Sequence, residues 1–240
     1  MEALSRQLRA LSLLLDYPRE EVHAALREIG AVLAPLDPAR PTGALAGCIT
    51  AMADCDLMDL QAEYVDTFDR GSSTSLNLFE RVHGDSRDRG QAMVDLLAQY
   101  RQAGLELQVR QLPDYLPVYL EYCSVLDPRA ARDALEEVAL LVAHLVAALD
   151  RRGSRWLPVA EAVCRLAGVD DWRALLAAET GGDAAAASPS AEADWTPAGL
   201  DAAWAEAPVE FLGACSPQSS RPSVQTVKFV GRGAAAAARS

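Results

Sequence analysis

Carboxylates, an imidazole and guanidinium groups crowd one stretch of this chain. Asp66, Asp69, Glu80, His83 and Asp85 fall in a single short segment. A carboxylate beside a histidine is the minimum for general acid–base catalysis, and Glu80, His83 and Asp85 would form such an enzyme site. The same segment carries Arg81, Arg87 and Arg89, so a network of caps and salt bridges around a Gly84 turn is the preferred reading. Gly84, Arg87 and Arg89 are then structural turn residues. Nucleophilic catalysis finds no support: there is no GxSxG elbow, no P-loop and no glycine fingerprint following a strand. A metal site would need ligands converging at defined spacing, yet His23, His83 and His144 lie far apart and no cysteine pair shows CxxC spacing. The expectation is no catalytic residue and no metal.

Binding chemistry is better represented. LPDYLPVYLEYC (Leu112–Cys123) places Tyr115, Tyr119 and Tyr122 at helical spacing. Tyrosine offers apolar area with a polar tip, which suits a surface that grips another chain. Asp56, Asp59, Glu63 and Asp66 recur at three- and four-residue spacing, opposite the apolar stripe Leu57, Leu60, Tyr64 and Phe68. Like charges at that spacing cost a helix roughly 0.2–0.5 kcal/mol per pair. They make an ordinary solvated face or a hold on a basic partner. An acidic, tyrosine-lined helical groove would accept an amphipathic basic peptide.

The elements that must position these residues are helices. Apolar residues recur three and four apart along most of the chain, and strand alternation is nearly absent. Helices are expected at Leu4–Leu15, Glu20–Leu33, Thr42–Ala53 and Asp56–Asp69, with a short one at Leu76–Val82. Another should carry Met93, Leu96, Leu97 and Tyr100 and stop at Gly104. Asp114 is expected to cap a helix with Pro117 in its first turn, and Asp127-Pro128 to start a long one reaching Arg152. That helix is apolar nearly all round from Val138, so it should be central, with His144 as a hydrogen-bonded core histidine. Trp156–Ala167 and Asp171–Glu179 complete the set. The expected organisation is a helical domain over 1–179 and a low-complexity linker over 180–195. A short docking helix and segment over 196–212 and a disordered tail over 213–240 follow.

Composition bounds the function. The 240 residues hold 34 acidic and 22 basic groups, a formal charge of −12. No acid follows Glu210, while Arg221, Lys228, Arg232 and Arg239 do, leaving 18 basic against 34 acidic groups upstream, a balance of −16. Nucleic-acid binding needs clustered cations, so it is not expected. Five scattered cysteines fit a reducing compartment. The N-terminus lacks secretory-signal features, and the most apolar run, Val138–Leu149, is too short to span a bilayer. A cytoplasmic location without membrane insertion is expected.

Two ordered motifs, TFDRGSSTSLNLFERVHGDSRDRGQAMVDLLAQY (Thr67–Tyr100) and LPDYLPVYLEY (Leu112–Tyr122), resemble the NarJ family, the delta-subunit assembly chaperones of respiratory nitrate reductase. That family sits in the wider redox-enzyme maturation group with TorD and DmsD. The resemblance implies an all-α, single-domain helical bundle and a non-catalytic cytosolic chaperone. Its implied client is the N-terminal peptide of the nitrate reductase catalytic (alpha) subunit, held until molybdenum bis-guanine dinucleotide is inserted and before membrane docking. The sequence shows no phosphate cradle and an anionic dinucleotide would meet an acidic surface, so no stably bound cofactor is expected, and cofactor-delivery proteins are expected as further partners. The group's aromatic-xx-Leu-Phe motif falls on Ser75, Leu78 and Phe79, with Ser75 in place of the aromatic. Its Pro-Asp-His motif falls on Pro113, Asp114 and Tyr115, with Tyr115 in place of the histidine. The expected peptide site, which also includes Asp85, therefore draws negative potential from Asp66, Asp69, Asp114 and Glu121. Its walls would come from Tyr64, Phe68, Leu78, Phe79, Tyr115 and Tyr119, with Ser75 and His83 alongside.

Overall fold

Leucines three and four apart give the first helix one continuous apolar face. In the computed structural model, which describes residues 2–37, 43–80, 87–107 and 111–182, that face belongs to α1 (Glu2–Leu15). Leu8, Leu11 and Leu15 on it are fully buried. The helix stops ahead of Pro18, as the steric demand of proline on its predecessor requires. The expected Glu20–Leu33 helix is instead two, α2 (Glu20–Ala24) and α3 (Leu26–Leu33), broken at Ala25. The break falls where burial begins: α2 buries nothing, whereas α3 buries Leu26, Ile29 and Leu33.

α4 (Ala44–Ala53) precedes α5 (Leu57–Tyr64). Asp56 caps α5, its carboxylate accepting from the Met58 N–H at 2.8 Å. The chain then runs on through a wider π turn, Val65–Asp69, in which Phe68 is buried. After α6 (Arg87–Gln102), Gly104 takes φ of +79°, the left-handed stop a glycine tolerates without a Cβ clash. α7 (Leu116–Val125) leads to α8 (Pro128–Arg152), α9 (Leu157–Leu166) and α10 (Trp172–Gly182). Asp127 caps α8 by accepting from the Arg129 and Ala130 N–H groups, and Gly153 closes it at φ of +61°.

The core forms where α1 lies along α7 and where α8 packs on α7, α9 and α10. Ser5 donates to the Ser124 carbonyl (2.6 Å) and Ser12 to the Pro117 carbonyl (2.8 Å), fastening α1 to α7. Trp156, almost fully buried, donates its indole N–H to the Leu14 carbonyl at 3.1 Å. The fold is all-α, and no helix among the described residues is long and apolar enough to cross a membrane.

Three expectations need correction. Leu76–Leu78 is not helical but extended: the Leu78 N–H donates to the Asp114 carbonyl (2.9 Å) and the Leu116 N–H to the Leu76 carbonyl (2.8 Å), an isolated antiparallel bridge. Asp114 is consequently no helix cap. The bridge register brings the next N–H, that of Phe79, onto its carboxylate at 3.2 Å, and Tyr115 becomes the residue preceding α7. His144 is one-third exposed and bonds Glu179 at 2.9 Å, so it joins α8 to α10 at the surface rather than sitting in the core. His83, Gly84, Asp85 and the expected linker, docking segment and tail beyond residue 182 lie outside the described residues.

Candidate functional site

Tyr64 and Phe68 point from α5 and its π turn into the core, where their ring centroids are 4.8 Å apart. Both meet Trp156 edge-on, at 5.7 and 5.4 Å. Tyr119 is equally buried, its hydroxyl donating to the Ala134 carbonyl at 2.7 Å. Leu78 is buried and Phe79 half-buried against the same core. The aromatic wall expected to line a groove is therefore the interior of the molecule. Rings at helical spacing look alike in sequence whether they face a core or a ligand.

The acidic face of α5 is largely occupied. Glu63 pairs with Arg155 at 3.0 Å. Asp66 pairs with Arg70 (3.3 Å) and Arg152 (3.5 Å), and Arg152 also donates to the Asp66 carbonyl at 3.0 Å. Arg152 and Arg155, from the end of α8 and just beyond it, are far from Asp66 in sequence. Asp69 is exposed. Ser75 donates to Glu80 at 2.5 Å. Asp114 is fully buried against Arg89, 3.5 Å away; its Oδ1 and the Arg89 Nε have no hydrogen-bond partner among the described residues. Arg87 opens α6.

A cleft does exist at the end of α1. It encloses about 340 Å³ between the end of α1, α7 and the connector after α6. Leu13, Leu105, Val118 and Tyr122 contribute apolar wall, and Asp16, Glu106 and Glu121 contribute carboxylates. Among its described lining residues Arg19 is the one cation. The α1 C-terminus adds negative partial charge here, with no basic residue in its last turn.

Asp16 is held from beneath. Tyr115 donates to its Oδ1 at 3.1 Å, and the Tyr115 hydroxyl lies 3.0 Å from that of Tyr64, which donates to the Leu15 carbonyl at 2.9 Å. Burial, foremost, pushes both phenols well above their ordinary range, so each remains a neutral donor. Of the residues expected from sequence, Glu121 lines the cleft and Tyr115 reaches it through Asp16. The other described ones do not line it. Sequence reasoning missed Leu13, Asp16 and Glu106. One signal was available: Leu13 lies off the α1 apolar stripe, and in the fold it is 43% exposed while Leu8, Leu11, Leu14 and Leu15 are buried.

The three buried thiols among the described residues are poor nucleophiles. Burial, against the opposing charge of Arg155, pushes Cys48 up to about 12, and burial likewise raises Cys123 and Cys164 to about 12. Among the described residues no group of three metal-ligating side chains converges.

The family model described as nitrate reductase delta subunit matches residues 16–161. The nitrate reductase molybdenum cofactor assembly chaperone NarJ of Escherichia coli K12 is 41% identical over 212 residues, covering 86% of this chain and 85% of that protein. NarW of the same organism, named as a probable chaperone of the same kind, is 40% identical over 205 residues, covering 85% and 83%. A crystal structure of a redox enzyme maturation protein from Archaeoglobus fulgidus superposes with a TM-score of 0.51 at 19% identity, covering 67% of this chain and 91% of that one. At that identity it shares the fold alone.

Proposed function

Because this chain belongs to the nitrate reductase delta-subunit family, we propose that its cleft grips the N-terminal segment of the nitrate reductase catalytic subunit. The chain is an assembly chaperone for nitrate reductase and not an enzyme, as its relatives are. The cleft carries the finer reading: a trough about 340 Å³ in volume with both apolar and polar walls, and with three carboxylates and one guanidinium among its described lining residues. A short amphipathic helix with cationic residues beside its apolar face fits that surface in shape and sign. Leu13 and Val118 take the apolar face, and Asp16 and Glu121 the cations.

Holding a client requires no bond chemistry, so neutral tyrosines and protonated thiols suit the task. The client receives molybdenum bis-guanine dinucleotide while held, in the cytosol, ahead of membrane docking. The cofactor is the client's cargo, brought by delivery proteins. An acidic cleft is a poor host for an anionic dinucleotide. The test is calorimetric titration of a synthetic client N-terminal peptide into the full chain at low and high salt. Saturable binding that weakens with salt is expected. No saturable binding at tens of micromolar peptide overturns the reading.

A further inference from the structure

Among the described residues the cleft places one cation, Arg19, among its carboxylates, and that cation already holds Asp16. Arg19 Nη2 lies 2.8 Å from Asp16 Oδ2. We propose that Arg19 is an intramolecular stand-in for the client's cation, which a client arginine or lysine must displace to bind. The inference rests on the cleft being the client site.

The two partners of this pair are unequal. The Asp16 side chain is 22% exposed and fixed from the core side by Tyr115, whereas Arg19 is 60% exposed. Arg19 follows Pro18 on extended backbone (φ −103°, ψ 159°) as the N-cap residue of α2, and its side chain makes no cap hydrogen bond, so that side chain can swing away without disturbing the helix. Asp16 is thus a rigid acceptor, and Arg19 a movable cap on it. The α1 C-terminus lacks a basic residue in its last turn, so Arg19 also supplies the positive charge that this helix end favours.

Displacement gives selectivity. A lone cation gains at Asp16 only what Arg19 already provides, so it wins nothing by exchange. A segment that lays apolar side chains on Leu13 and Val118 at the same time gains burial that Arg19 does not supply. The pair therefore rejects indiscriminately basic chains and admits amphipathic ones.

The experiment titrates the client N-terminal peptide into the full chain, comparing wild type with Arg19→Gln, Asp16→Asn and the double variant. An exposed ion pair of this kind is worth up to about 1 kcal/mol, so Arg19→Gln should bind about two- to fivefold more tightly. Its affinity should also fall more steeply with salt, because binding no longer exchanges one cation for another. Asp16→Asn, which keeps an acceptor for Tyr115, removes the client's pairing and Arg19's together, so it should bind within about twofold of wild type and more weakly than Arg19→Gln. The double variant should match Asp16→Asn, since Arg19 then has no carboxylate to hold. Wild-type binding with Arg19→Gln unchanged or weaker overturns displacement while leaving the cleft assignment standing. Absence of saturable binding in wild type and in every variant overturns the cleft assignment itself. Matching thermal melts establish that each variant is folded.

Discussion

On α5 and the π turn that continues it, the carboxylates of Glu63 and Asp66 meet Arg155, Arg70 and Arg152. At the end of α1, Asp16, Glu106 and Glu121 line a cleft in which Arg19 is the one cation among the described residues. The first surface is the one a reading of local spacing selects, because its acids recur with helical period. The second draws its acids from three separate segments and has no local signature. Arginines at and just beyond the end of α8 pair with Glu63 and Asp66, so these two acids serve as struts to α8 and the segment after it. The difference teaches that a run of like charge along a chain does not fix the potential above it. The counter-charges that fold onto it do.

The largest effect that would sharpen this contrast lies beneath the α5 surface. Trp156→Ala should cost about 3–5 kcal/mol in chemical denaturation, because it removes the ring against which Tyr64 and Phe68 pack. Client-peptide affinity of the folded fraction should be little changed. A loss of affinity without a loss of stability would mean that this cluster, and not the cleft, meets the client.

The packed side should also govern behaviour at high pH. Cys48, Cys123 and Cys164 are pushed up to about 12 in the fold, above an ordinary thiol at 9.0, and the buried Tyr100 and Tyr119 phenols are raised as well. Groups raised in the folded state contribute stability that is whole below their unfolded values and lost as pH climbs to their folded ones. The urea midpoint should therefore hold to about pH 8.5 and fall progressively from about pH 9 to about pH 12. Alkylation at mildly alkaline pH followed by mass spectrometry should leave these three thiols unmodified until the chain is unfolded.

Next in size is the cleft rim. Glu106→Lys with Glu121→Lys should weaken peptide binding roughly ten- to a hundredfold and flatten its salt dependence, with melting unchanged. The smallest effect belongs to α5. Asp66→Asn should leave peptide affinity within about twofold and reduce stability by less than about 1 kcal/mol, as for other exposed pairs. If Asp66→Asn weakened binding more than the rim reversal does, the two surfaces would have to exchange roles. Asp114 is no use as a surface probe: it is fully buried beside Arg89, and a lysine there would leave two buried cations facing each other.

Much of the helical plan was legible because it depends on neighbours in sequence. The leucine stripe of α1, the Asp127-Pro128 start of α8 and the glycine stop at Gly104 are local devices, and each appears where its residues place it. The role of Asp114 was not legible. A carboxylate before a proline-bearing first turn has the form of a cap, and the distant Phe79 N–H claims it instead. The break at Ala25 escaped for a related reason, since periodicity runs through it while burial does not.

What the sequence determined by itself was an all-helical chain with an acidic balance and two ordered motifs that resemble a family of assembly chaperones. Periodicity, composition and motif order are properties of residues in succession, and they survive without knowledge of contacts. Only the tertiary structure decided which tyrosines are core, which carboxylates are paired and where an open acidic cleft remains. Those outcomes depend on residues such as Asp16 and Tyr115, or Asp66 and Arg152, that are remote in the chain and adjacent in the fold. Burial and ion pairing act on distance in space, which no spacing along the chain records.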